Sequence, residues 1–234
     1  MKQEVIYGLR PVVEALRSRR REVLEVLDAS GSGEVSSGAR NRGVSLREAS
    51  RKHVEELARG ASHQGVAARV GPYPYSGLDE ILAAENPLVL VLDSVTDPRN
   101  LGAVLRIADG AGASGVVIPK DKAVGVTAAA VKASAGASEH VRVARETNLR
   151  RAVERMKKAG LWVYAADAGG SEYTDVDLAG PVGLVLGSEG RGVRRLVREA
   201  CDGTVSVPMH GSVASLNVSV AAAVLAYESR RQRG

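Results

Sequence analysis

Short, almost wholly apolar runs recur along the later two-thirds of the chain: Pro87-Leu-Val-Leu-Val-Leu92, Gly115-Val-Val-Ile118, Leu161-Trp-Val-Tyr-Ala165, Val182-Gly-Leu-Val-Leu186 and Val205-Ser-Val207. Stretches of helical character lie between them. Runs without polar alternation are strands buried on both faces, and their alternation with helices predicts a largely parallel sheet covered by helices. Ligands of such sheets sit at the carboxyl ends of the strands. The last segment, roughly Leu216 to Arg231, is apolar nearly all round through Tyr227, which predicts a helix buried by the sheet or by a second subunit. Its basic end, Arg230-Arg231-Gln-Arg233, suits a helix C-terminus.

The earlier part reads differently. Arg10-Pro11-Val-Val-Glu-Ala-Leu16 has the pattern of a helix with proline in its first turn, and Glu22 to Leu27 that of a strand. Ser50 can cap a helix through Ala58, and Gly65-Val-Ala-Ala-Arg-Val70 reads as a strand. Gly71-Pro-Tyr-Pro-Tyr-Ser-Gly77 packs two prolines and two glycines into seven residues, which continues neither kind of element. The chain is therefore expected to be α/β, with a small α/β module over 1–71, a linker over 72–85 and a larger domain over 86–234.

With 234 residues and 44% apolar composition, a substantial core can form. The opening Met1-Lys-Gln-Glu-Val-Ile-Tyr-Gly8 has no signal-peptide run and no stretch reaches the length of a membrane span, so a cytoplasmic, membrane-free protein is expected. One cysteine, Cys201, forms no internal disulfide and has no companion at zinc spacing; it reads as a structural thiol. The formal charge of +5 is unevenly spread: 13 basic against 9 acidic residues in 1–71, 12 against 14 in 72–180, and 7 against 4 in 181–234. Basic ends suggest a polyanion, although so small an excess also suits an ordinary solvated surface. Without phenylalanine and with one tryptophan, the chain lacks a base-stacking platform, so an RNA partner would be held by backbone and shape.

Two glycine clusters invite a nucleotide. Gly110-Ala-Gly112-Ala-Ser-Gly115 has dinucleotide spacing, but a helix precedes it and a strand follows, the reverse of what pyrophosphate binding needs. These glycines read as a helix cap and a tight return. Gly187-Ser-Glu-Gly-Arg-Gly192 does follow a strand and leads into the helix-like Val193–Arg198, yet it has no P-loop lysine and carries Glu189, which would repel a phosphate. A carboxylate there also suits a helix N-terminus.

Two more polar turns follow strands: Leu92-Asp-Ser-Val-Thr-Asp-Pro-Arg-Asn100-Leu-Gly-Ala-Val-Leu-Arg106 and Val207-Pro-Met-His-Gly-Ser-Val-Ala-Ser-Leu-Asn217-Val-Ser219. Together with Leu186-Gly-Ser-Glu-Gly-Arg-Gly192 they closely resemble the three motifs of the SpoU/TrmH-like ribose 2′-O-methyltransferases of the SPOUT superfamily. Ile6-Tyr-Gly-Leu-Arg-Pro-Val-Val-Glu-Ala-Leu16 and His63-Gln-Gly-Val66 resemble the substrate-binding domain of the ribosomal RNA guanosine branch, so the resemblance spans essentially the whole chain. It implies a trefoil-knotted, dimerising catalytic domain with S-adenosylmethionine as cofactor, ribosomal RNA as partner and no metal. Gly187, Val207, Met209 and Leu216 would line the cofactor site. Asn100, Arg106, Glu189 and Asn217 would form the catalytic set, with Glu189 tolerable beside a positive sulfonium.

Methyl transfer to a ribose hydroxyl is an in-line displacement that requires alignment and loss of a proton. The resemblance makes Arg106 the proton acceptor. A guanidinium holds its proton at physiological pH, so Arg106 is better read as an organiser of the target phosphate and hydroxyl, with a phosphate oxygen or water taking the proton. Taken singly, Asn100 also suits a helix's first turn, Asn217 a helix opening and Arg106 an ordinary surface position. On an ideal helix Asn100 and Arg106 lie about 120° apart, so they converge only if Asn100 is in the loop. The four histidines are too scattered for a metal site, and no GxSxG hydrolase elbow is present. Alternatives are a transfer RNA or antibiotic-resistance methyltransferase of the same superfamily and a noncatalytic RNA-binding protein.

Overall fold

A computed structural model describes residues 3–188 and 190–234. Its first part comprises β1 (Glu4–Tyr7), α1 (Leu9–Ser18), β2 (Val23–Asp28), α2 (Gly33–Arg42), β3 (Ser45–Glu48), α3 (Arg51–Leu57) and β4 (Val66–Val70). The strands pair in the order β1-β4-β2-β3, with β2 and β3 parallel and the other pairs antiparallel. The helix around Pro11 and the two expected strands are present, and Ser50 caps α3 by accepting from the His53 N–H at 3.2 Å. β1, α2 and β3 are additional. Of α2 only Val35 and Ala39 are buried, and β3 is exposed throughout, so neither segment carries a clear apolar period.

The second part comprises α4 (Leu78–Leu82), β5 (Leu88–Asp93), α5 (Pro98–Gly110), β6 (Gly115–Pro119), α6 (Ala128–Ala133), β7 (Val143–Glu146), α7 (Leu149–Lys158), β8 (Trp162–Glu172), β9 (Val182–Gly187), α8 (Arg195–Arg198), β10 (Gly203–Ser206) and α9 (Val218–Gln232). Its sheet runs β10-β8-β9-β5-β6-β7 with every pair parallel, as the apolar runs predict. β5 and β9 sit at the centre because their side chains are apolar toward both faces. Leu88, Leu90, Leu92, Leu184 and Leu186 pack with Leu101, Leu105 and Leu225 on one side. Val89, Val91 and Val185 pack with Val153, Met156 and Val197 on the other. Burying each such side chain contributes about 1.5–3 kcal/mol before the entropy of ordering is counted.

One expectation changes. Only Arg195–Arg198 of the stretch after Gly192 is helical, since Val193 turns inward to the core instead. The last helix buries one face, through Ala222, Leu225 and Ala226, but leaves Val220 and Tyr227 about half exposed, at 47% and 51%. The glycines after α5 do make a return: Gly112 has φ 68°, and the Ala113 N–H reaches back to the Ala108 carbonyl at 2.8 Å. The core is continuous between the two sheets, with Ile6, Val12, Val13 and Tyr73 in the same cluster as Leu90 and Leu101.

Candidate active site

In β5 and β9, Asp93 stands opposite Gly187, so the turns leaving both strands emerge side by side. The β9 turn doubles back at once. Ser188 bridges to Gly192, whose N–H donates to the Ser188 carbonyl at 2.9 Å, and Gly190 and Gly192 take φ 81° and 64°. A Cβ on Gly187 would stand 1.9 Å from the Gly192 carbonyl carbon and 2.2 Å from the Val193 nitrogen. The turn's own return therefore demands glycine at 187, where the sequence suggests approach of a ligand. Glu189 lies outside the described residues.

The returning segment is tied to β5 by a residue the motif reading passes over. Asp93 is fully buried; its Oδ2 accepts from the Arg194 N–H at 2.8 Å and its Oδ1 from Arg194 Nε at 2.7 Å. The Ser94 hydroxyl adds a third bond at 3.0 Å. The available signal is an aspartate ending the uninterrupted apolar run Leu88–Leu92, where a buried charge must have a partner.

Beside this turn, at the carboxyl ends of β8, β9 and β10, opens a cavity of ≈ 470 Å³. All four residues expected at a cofactor line it: Gly187, Val207, Met209 and Leu216. Leu186, Val205 and Leu225 give it an apolar floor, and Asp167 supplies a carboxylate at its edge. Hydrogen bonds from the Gly169 N–H at 3.1 Å and from Arg198 at 2.8 Å hold that carboxyl below the usual range. A volume of this order, apolar walls, backbone exposed at glycines and an anionic group suit a nucleoside cation such as S-adenosylmethionine.

Asn100 and Asn217 meet, Asn217 Nδ2 donating to Asn100 Oδ1 at 3.0 Å. Asn217 is the N-cap of α9, and its Oδ1 accepts from the Ser219 N–H at 2.9 Å. Asn100 is inside the first turn of α5, which Asp97 caps by accepting from the Arg99 N–H at 2.7 Å. Being helical, Asn100 points away from the direction of Arg106 on the same helix, so the loop placement needed for their convergence does not occur. Arg106 is exposed on α5 and does not line the cavity. Among the described residues no group of three or more potential metal ligands is found, and no helix is long and apolar enough to cross a membrane.

The parallel sheet, the cavity at the carboxyl ends of its strands and the motif turns are those of a ligand-binding α/β protein, and comparison with known proteins makes it a methyltransferase. The chain belongs to the SpoU rRNA methylase family, whose model matches residues 87–227, and residues 5–76 match the RNA 2′-O ribose methyltransferase substrate-binding model. It is 42% identical to the putative TrmH family tRNA/rRNA methyltransferase YacO of Bacillus subtilis, over 98% of this chain and 96% of that protein. It is 43% identical to the 23S rRNA (guanosine-2′-O-)-methyltransferase RlmB of Vibrio cholerae, over 100% and 98%. Among solved structures it resembles the SpoU methyltransferase AviRb from Streptomyces viridochromogenes in complex with AdoMet, with TM-score 0.85 and 28% identity over 99% of this chain and 90% of that one. An AdoMet-bound rRNA methyltransferase from Sinorhizobium meliloti matches with TM-score 0.83 and 27% identity, over 98% and 87%.

Proposed function

We propose that this protein transfers the methyl group of S-adenosylmethionine to the ribose 2′-hydroxyl of a guanosine in 23S ribosomal RNA. The observation that carries the reading is the Asn217–Asn100 bond, which ties the motif turn at the start of α5 to the Val207–Ser219 turn, and that turn lines the cavity together with the Gly187 turn. Relatives named for this reaction are similar from end to end, and two solved relatives hold the cofactor.

S-adenosylmethionine, when bound, supplies a methyl group on a positive sulfonium that needs no further activation. The backbone of Gly187 and the Val207–Met209 and Leu216 segments would hold it. Exclusion of water falls to the apolar floor of Leu186, Val205 and Leu225. Asn100 and Asn217, with Glu189, would orient the reacting groups. Arg106 would hold the target phosphate and ribose through its planar donors, leaving the hydroxyl proton to a phosphate oxygen or water.

Residues 1–71 would carry the RNA, 72–85 link, and 86–234 perform the transfer. The exposed side of α9, where Val220 and Tyr227 lie one above the other two turns apart, supports a homodimer in which a second copy would cover this apolar surface. Light scattering should give twice the chain mass. With ribosomal RNA as substrate, the protein would work in the cytoplasm.

The decisive experiment incubates the protein with unmodified 23S transcript and labelled S-adenosylmethionine, then digests the RNA and separates nucleosides. The product expected is 2′-O-methylguanosine. Label on a base, or on transfer RNA but not 23S RNA, contradicts this reading.

A further inference from the structure

The two sequence stretches that resemble a substrate-binding domain, around Gly8 and around Gln64, converge on one side chain of the other part of the chain. Lys132 on α6 donates from Nζ to Gln64 Oε1 at 2.6 Å. Its stem crosses Gly8, where a Cβ would stand 2.6 Å from Nζ and 3.0 Å from Cδ, and Gly8 itself takes φ 104°. Gln64 is held in the left-handed region, φ 55°, a conformation that a non-glycine residue adopts at a cost. His63 holds this turn: its buried ring accepts from the Gly65 N–H at 3.0 Å, and its carbonyl accepts from the Val66 N–H at 3.0 Å.

Lys132 is only partly buried, and its bond to Gln64 is exposed to solvent. Burial lowers the Lys132 pKa, and no carboxylate lies within ion-pair distance of it among the described residues. What sets this lysine apart is its reach, across Gly8 to Gln64. α6 also packs tightly on α5: a Cβ on Gly102 would stand 2.5 Å from Ala133 Cβ and 2.6 Å from the Ala130 carbonyl oxygen. Asn100 and Arg106 are on that same α5. Nearby contacts seat the first sheet on the 138–141 turn, with Arg20 donating to the Val141 carbonyl at 2.9 Å and the Tyr73 hydroxyl to that of Ser138 at 2.8 Å.

We propose that Lys132 is a positioning residue for the RNA, a latch that engages Gly8 and Gln64 and sets the register between the first sheet and α5, so that RNA held by the one meets Arg106 on the other. This rests on the function proposed above. The latch acts on RNA presentation and not on cofactor binding. A direct phosphate contact by Lys132 is the rival explanation, and the two differ in salt dependence.

The test compares the intact chain with Lys132→Met, Gln64→Ala and the double variant, using 23S transcript and S-adenosylmethionine over a salt series. Each single variant should raise KM for RNA about fivefold, the worth of roughly one hydrogen bond, and the double variant no further. Turnover number, cofactor affinity and salt slope should be unchanged. Unchanged KM, additive effects, or a salt slope reduced by about one in Lys132→Met alone overturns the proposal. Amide exchange at Gly65 and Val66 supplies a readout independent of activity. Were the unsubstituted protein inactive on 23S RNA, the proposed function would fail instead, and unchanged exchange in Lys132→Met would still overturn the latch.

Discussion

Asn217 and Asn100, 117 positions apart in the chain, are joined by a side-chain hydrogen bond of 3.0 Å between the starts of two helices. Asn217 therefore has separable duties, because its oxygen caps α9 while its amide nitrogen reaches Asn100. Asn217→Asp keeps the capping oxygen and loses the donor; its unfolding free energy should stay within about 0.5 kcal/mol of the parent while methylation falls. Asn217→Ala should lose activity and about 1 kcal/mol of stability. Urea unfolding and single-turnover methylation on both variants separate these duties.

Gly187 makes a different kind of prediction from the one its motif suggests. Since a Cβ there would overlap the Gly192–Val193 backbone, Gly187→Val should lose both fold stability, by about 2 kcal/mol or more, and cofactor binding. Gly190→Ala is the control. At φ 81° with open space around it, this position should cost only the strain of about 1 kcal/mol. Equal stability of Gly187→Val and the parent would contradict the close approach.

Glu139, buried between the two sheets with Arg21 Nη1 at 3.5 Å, gives stability a pH signature. Burial pushes its carboxyl above the usual range, and Arg21 opposes this only in part. The native state thus holds more protons than the unfolded chain once pH passes the ordinary carboxylate value. This contribution to stability is complete below that value and is lost as pH rises through the raised native one. Urea midpoints from pH 4 to 8 should fall less with pH in Glu139→Gln than in the parent. The difference in slope is bounded at about 1.4 kcal/mol per pH unit for one group. Identical slopes would contradict the shift.

Cys201 should be nearly inert. Burial, then the neighbouring Asp202, pushes its thiol up to about 12. At pH 8 only about one molecule in ten thousand then carries the reactive thiolate. A disulfide reagent should modify the native protein far more slowly than the urea-unfolded chain, and equal rates would contradict the burial.

How much of this is legible in the sequence follows from the range of each interaction. β5 and β9 are readable because strands buried on both faces leave an unbroken apolar record, whereas β3, exposed throughout, leaves none. Val207, Met209 and Leu216 are found as cavity-lining positions only through resemblance to a family, since nothing local marks a loop as facing a ligand. Asp93 is visible as an acid ending a hydrophobic run, but its partner Arg194, 101 positions later, is not. The apolar period of the last helix shows that both faces are apolar, yet not which one the sheet takes.

Arg106, exposed on α5, is proposed to organise the RNA for ribose methylation, and the cavity behind the Gly187 turn to hold the cofactor. Single-turnover methylation of 23S transcript by Arg106→Ala, with calorimetric cofactor affinity on the same sample, tests it most directly. The rate should fall by about 100-fold or more with S-adenosylmethionine affinity unchanged, because only alignment of the ribose is lost. Arg106→Lys, which keeps the charge without the planar fork, should recover little of it. A correctly folded Arg106→Ala that methylates at the parent rate would contradict the claim.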